Sequence, residues 1–182
     1  LRPRGARGSH PLRHAFIAAW GQDGGAARAP CPTAWYFSHP RLLDGEQIPY
    51  MALDLDPDRV RQAAAAGQSV VFGDAARVQS LMAAGLARAN AVVVSYTDTP
   101  SALKILRLVR DHAPAVPVLV RTIDDADLEV LRNAGATEVV PEAIEGSLML
   151  ASHALALVGV PMRRVIRVVQ DQRDARYSLL RG

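Results

Sequence analysis

Cys31 is the only cysteine in the 182-residue chain, which excludes an intrachain disulfide and a cysteine-based zinc site and fits a reducing compartment. Aromatic residues are scarce, at 5%. No run of about 18 apolar residues occurs, so no segment reads as a membrane span by itself. The net charge of +3 is spread along the chain, without basic blocks beside stacking aromatics, and argues against nucleic-acid binding. The opening LRPRGARGSHPLRH is basic but lacks the apolar centre of a signal peptide. A catalytic set is missing as well. The five histidines are scattered, and Ser, Cys and Lys fall in no nucleophile-plus-base spacing. His153 sits within an apolar helical stretch, where a packed histidine is expected. The chain starts at Leu1 rather than Met and ends in LLRG, so it reads as a piece of something longer.

Apolar residues make up 49% of the sequence and charged residues 21%, ordinary for a globular protein and sufficient for a full core. From Ile48 onward, short apolar runs alternate with capped helical stretches. Tyr50–Asp54 reads as a strand. Asp56-Pro57 then opens a helix that Gly67 closes. Ser69–Phe72 is a second strand, followed by a helix over Ala76–Ala84. Ala91–Tyr96 is apolar throughout, as a strand buried on both faces should be. Thr99-Pro100 repeats the cap-plus-proline signal for a helix reaching about His112. Val116–Arg121 is the next strand, and Asp124 or Asp125 caps a helix closed by Gly135. Thr137–Val140 is a further strand. An apolar helix over Glu145–Val158 precedes a last helix starting at Pro161, with Val165, Ile166, Val168 and Val169 on one broad side and arginines largely elsewhere. The pattern predicts an α/β protein: a Rossmann-like doubly wound parallel sheet in three layers, with an apolar C-terminal helix pair.

Residues 1–47 behave differently. Pro30, Pro32 and Pro40 interrupt what should be a helix between the first strand and the Asp54 strand. The expected organisation is an irregular leader over 1–40, a nucleotide-binding domain over 41–160 and a terminal helix over 161–182. The leader includes HAFIAAWGQDGG, a degenerate first strand and phosphate loop in which Gly21 and Gly24 occupy the second and third glycine positions of GxGxxG and Ala19 replaces the first.

Three further features belong to that site. Asp54 ends its strand where a carboxylate accepts both ribose hydroxyls of an adenosine, although a loop or capping acid explains it equally well. Gly73-Asp74-Ala75 follows the next strand, where a glycine lets a ligand approach and Asp74 reaches adenine or ribose; a turn with a capping aspartate is the alternative. Arg121 ends a buried strand on the ligand side. There it either neutralises pyrophosphate or pairs with Asp124 or Asp125.

The segments IPYMALDLDPDRV, VVFGDAARVQSLMAAGL, AVVVSYTDTPSALKI, PVLVRTIDDADLEVLRNAGATEVVPEAIEGSLMLASHAL and RDARYSLLRG together resemble the regulatory nucleotide-binding domain called RCK, KTN or TrkA-N. The nearest version is that at the cytoplasmic end of Kef-type potassium:proton antiporters. The resemblance runs from about Arg41 to Gly182. It implies a non-enzymatic domain that binds NAD(H) or AMP, forms a homodimer and controls potassium efflux through an attached membrane antiporter domain. The implied location is the cytoplasmic face of a bacterial inner membrane, and glutathione or its adducts are implied as further effectors. By position, Asp54 would hold ribose, Gly73, Asp74 and Ala75 would line the adenine side, and Arg121 would approach the phosphates. The family loop reads close to GYGRxGQ. Here AWGQDG keeps part of it and RAPCPTAWYFSHP departs before matching resumes at RLLDGE, as a frameshifted coding stretch would produce. That departure weakens the expected nucleotide affinity. The competing readings are a regulatory subunit of a potassium channel or Trk-type uptake system, and a small NAD(P)-dependent oxidoreductase.

Overall fold

A computed structural model of the chain describes residues 16–20, 43, 48–95 and 98–179, with side chains excepted at 16–20 and 176–179. In chain order the elements are β1 (Phe16–Trp20), β2 (Tyr50–Asp54), α1 (Pro57–Ala65), β3 (Val70–Phe72), α2 (Val78–Ala83), a 3-10 turn (Leu86–Arg88) and β4 (Val92–Val94). They continue with α3 (Thr99–His112), β5 (Val118–Thr122), α4 (Leu128–Asn133), β6 (Glu138–Pro141), α5 (Glu142–Leu157) and α6 (Met162–Leu179). The six strands form one sheet in the order β3-β2-β1-β4-β5-β6, every neighbouring pair parallel. This is the doubly wound order expected of a Rossmann-like sheet. β1 lies at its centre, between β2 and β4, so the chain reverses its direction of winding there.

Side-chain caps start two of the helices, α1 and α3. Asp56 accepts from the Asp58 and Arg59 N–H groups at 2.9 and 3.2 Å, and Pro57 occupies the first helical position. Gly67, at φ +81°, takes the left-handed turn that follows α1. Two expected caps are corrected. Asp98, rather than Thr99, caps α3, accepting from the Ser101 N–H at 2.9 Å, which leaves the Thr99 hydroxyl to donate to Asp127 at 2.5 Å. Neither Asp124 nor Asp125 caps α4. Asp127 occupies that position, while Asp124 accepts from the Ala126 N–H one turn earlier. α5 starts at Glu142, three residues before the expected Glu145, because the chain enters it directly from Pro141 and the Ala143 N–H donates to Ile123 O at 3.0 Å.

One sheet face carries the main core. Leu53, Val92, Val94, Val118, Val120 and Val139 pack with Leu81, Leu86, Ile105, Leu106, Val109, Leu128 and Leu131. The small β-branched residues lie on the sheet and the leucines mostly on the covering helices, as suits a sheet buried on both faces. The C-terminal helix pair is different. α5 packs on α6 and buries no residue of its own, and Leu150 and Leu157 remain 74% and 88% exposed. His153 is exposed too, so the expectation of a packed histidine fails: the helix around it is apolar but uncovered. Among the described side chains of α6 only Val165 is buried, while Ile166 and Val168 face outward. Among the described residues, no helix is long and apolar enough to cross a membrane.

Candidate functional site

Parallel strands end together, and the register fixes which residues share that edge. Asp54 pairs with Trp20 of β1 on one side and Phe72 of β3 on the other. Ala19, Val94 and Val120 form the row beneath. One residue further along, Arg121 of β5 falls in the same row as Asp54, and its guanidinium donates to Ser95 O, just past β4, at 3.3 Å. Side chains alternate across a strand. Leu53, Val94 and Val120 point into the main core, so Phe72, Asp54 and Arg121 share the opposite face.

Asp54 is the fully buried acid of this edge. Its Oδ1 accepts from the Asp56 N–H at 2.7 Å, and its carbonyl accepts from the Gly73 N–H at 3.0 Å. The acid therefore pins the β2–α1 loop, while the strand end is tied to the Gly73 loop. With no exposed surface, it meets a ribose only if what lies over it is displaced. Gly73 is bare on its core side: a Cβ there would stand 3.1 Å from Leu53 Cδ2 and 3.7 Å from Ser80. Its close approach is to the protein. Asp74 accepts from the Ala76 N–H at 2.8 Å and pairs with Arg77 at 3.4 Å, and Ala75 is fully buried. The triplet is thus a turn built by its own aspartate, placed beside Asp54.

Arg121 does not pair with Asp124 or Asp125. Its Nε and Nη2 donate to Glu142 Oε2, the former at 3.0 Å, and its side chain is 12% exposed. Sequence reading missed Glu142 because the partners are 21 residues apart. The available signal was positional: Glu142 directly follows the strand beside Arg121, at the same carboxyl edge. Arg121 stands three strands from Asp54, roughly 14 Å at ~4.8 Å per strand. A ligand touching both needs the reach of a dinucleotide. Gly21 and Gly24 lie outside the described residues. Among the described residues, no group of three or more His, Cys, Asp or Glu side chains is placed to hold a metal ion.

The family model described as the TrkA-N domain matches residues 40–142. The chain belongs to the TrkA-N family. It is 44% identical over 170 residues to a protein of Alkalimonas amylolytica named as a K(+) efflux antiporter, KefB, covering 93% of this chain and 24% of that one. That match takes in most of residues 1–40. Identity is 33% over 120 residues to the glutathione-regulated potassium-efflux system protein KefC of Cronobacter sakazakii, covering 66% and 19% of the two chains. This TrkA-N chain thus spans a quarter or less of the length of the curated relatives it matches. Among solved structures it is similar to the Shewanella denitrificans Kef CTD in its AMP bound form, with a TM-score of 0.66 and 25% identity over 91% of this chain and 94% of that one. It shares its fold with the GsuK channel bound to NAD, at a TM-score of 0.59 and 19% identity, over 79% of this chain and 23% of the other.

Proposed function

We propose that this TrkA-N chain is the regulatory nucleotide-binding part of a potassium:proton antiporter, not an enzyme, and that its occupancy by NAD(H) or AMP controls potassium efflux through an attached membrane domain. The observation that carries the reading is the placement of Asp54 at the carboxyl end of β2, one strand from the switch point and beside the Gly73–Ala75 turn. Adenosine sits at that place in doubly wound sheets. The AMP bound form of the similar Kef domain and the K(+) efflux name of the relative at 44% identity point the same way. Asp54 receives the ribose hydroxyls, Gly73, Asp74 and Ala75 line the adenine, Gly21 and Gly24 approach the phosphates, and Arg121 meets the distal phosphate or second nucleoside of a dinucleotide.

Residues 1–40 act as the leader carrying the first strand and phosphate loop, residues 41–160 as the nucleotide domain and residues 161–182 as the terminal helix. The domain works at the cytoplasmic face of the bacterial inner membrane. It pairs with a second copy through the uncovered apolar side of α5 and α6, and glutathione or its adducts act on the same switch. Regulation then requires the nucleotide to bind one arrangement of the dimer more tightly than the other.

Calorimetry with NAD⁺, NADH, AMP and ATP tests the reading. The unaltered chain should bind at least one of them, and Asp54→Ala should weaken that binding about 10- to 100-fold, the loss of one or two hydrogen bonds to a charged group. A melting curve checks that the variant still folds. No binding by the unaltered chain, or by Ala19→Gly with its completed glycine pattern, would defeat the proposal.

A further inference from the structure

Phe72 is the exposed large aromatic among the residues with described side chains. It is 63% accessible, whereas Tyr50, at the other end of the neighbouring strand, is 5% accessible. Its position gives the exposure meaning. Phe72 ends β3 in register with Asp54, so the two side chains stand one strand apart, about 4.8 Å between backbones, on the same sheet face. The next residue, Gly73, turns its bare side to Leu53 and Ser80, and Asp74 is held by the Ala76 N–H and Arg77. The turn therefore has backbone and a fixed carboxylate to offer a base edge, but no apolar surface for a base face. Phe72 supplies that surface.

We infer that Phe72 is the stacking platform for the nucleobase of the bound nucleotide. The inference rests on the nucleotide reading above. The planar base of an adenosine whose ribose reaches Asp54 extends outward along the edge toward β3, where the phenyl ring lies. A ring gains dispersion and quadrupole contact from a stacked base, and it leaves water at the same time. An alkyl side chain of similar size offers burial without the stacked geometry.

Calorimetry on the full chain tests this with AMP and with ribose 5-phosphate, which keeps the sugar and phosphate but has no base. Phe72→Ala should weaken AMP binding about 5- to 20-fold, Phe72→Leu should recover little of it, and Phe72→Tyr should restore it. Affinity for ribose 5-phosphate should be the same in all four proteins, and their melting temperatures should agree because the side chain is largely exposed. Equal AMP affinity in the unaltered chain, Phe72→Ala and Phe72→Leu would overturn the inference. So would a change of oligomeric state in Phe72→Ala without a change in AMP affinity, which would assign the ring to a contact between copies. If the unaltered chain binds no nucleotide, the function proposed above fails first.

Discussion

α3 and α5 are both long helices with Leu, Ile and Ala side chains, yet the protein treats them oppositely. α3 spans 14 residues and sinks Ala102, Ile105, Leu106 and Val109 into the core; α5 spans 16 and buries none. α3 is amphipathic, with its polar residues gathered on the outward face, so one side alone must leave water. α5 is apolar around most of its circumference, and α6 covers only part of it. The difference teaches that apolar content does not measure core membership. A helix with more apolar surface than its own domain covers points to a second surface, and here that surface adjoins the proposed site through Glu142 and Arg121.

The sharpest way to break the contrast is to truncate one side chain on each helix. Ile105→Ala should lower stability by about 2–5 kcal/mol, as a fully buried residue leaves a cavity. Leu150→Ala should stay within ~0.5 kcal/mol at the monomer level, yet raise the dissociation constant of the proposed dimer about fivefold or more. Urea denaturation and sedimentation read the two effects. Equal destabilisation by both changes would mean that α5 belongs to the core after all.

Arg110 offers a smaller test on the α3 side. Its guanidinium donates to the carbonyls of Gly135, Pro114 and Val116, at 2.9, 2.8 and 2.9 Å, and so ties the end of α3 to two loops. Arg110→Ala should cost about 1–3 kcal/mol in urea denaturation, because part-buried carbonyls lose their donor. Arg110→Lys should recover little, since an ammonium cannot span three acceptors as a fork does. The counterpart on the α5 side is Arg173, which pairs with Glu145 across the α5–α6 contact and is 47% exposed. Arg173→Ala should change stability by no more than ~1 kcal/mol, less still in high salt.

Several elements were legible because their causes are local. Tyr50–Asp54 has the expected bounds, and Asp56-Pro57 opens α1 as its cap chemistry requires. Other local signals misled by one to three residues. At Asp98-Thr99-Pro100 two residues can cap, and the carboxylate wins the Ser101 N–H while the hydroxyl finds Asp127. At Asp124–Asp127 three acids compete for one helix start, and the helix begins latest. The candidate site was legible in its positions more than in its contacts. Asp54 ends its strand and Gly73–Ala75 follows the next, as expected, whereas β5 runs one residue past Arg121, to Thr122. Sequence reading could not see that Asp54 is fully buried, that Gly73 is bare toward Leu53, or that Arg121 chooses Glu142.

The sequence alone determined the alternation of strand and helix, the helix stops and the family, since periodicity, caps and motif order act over a few residues at a time. Only the tertiary structure decided that β1 lies between β2 and β4, and that Phe72, Asp54 and Arg121 share one row and one face. It also decided that α5 stays uncovered while α3 does not. Those outcomes depend on strand order and register, which join residues far apart in the chain and which no single segment encodes.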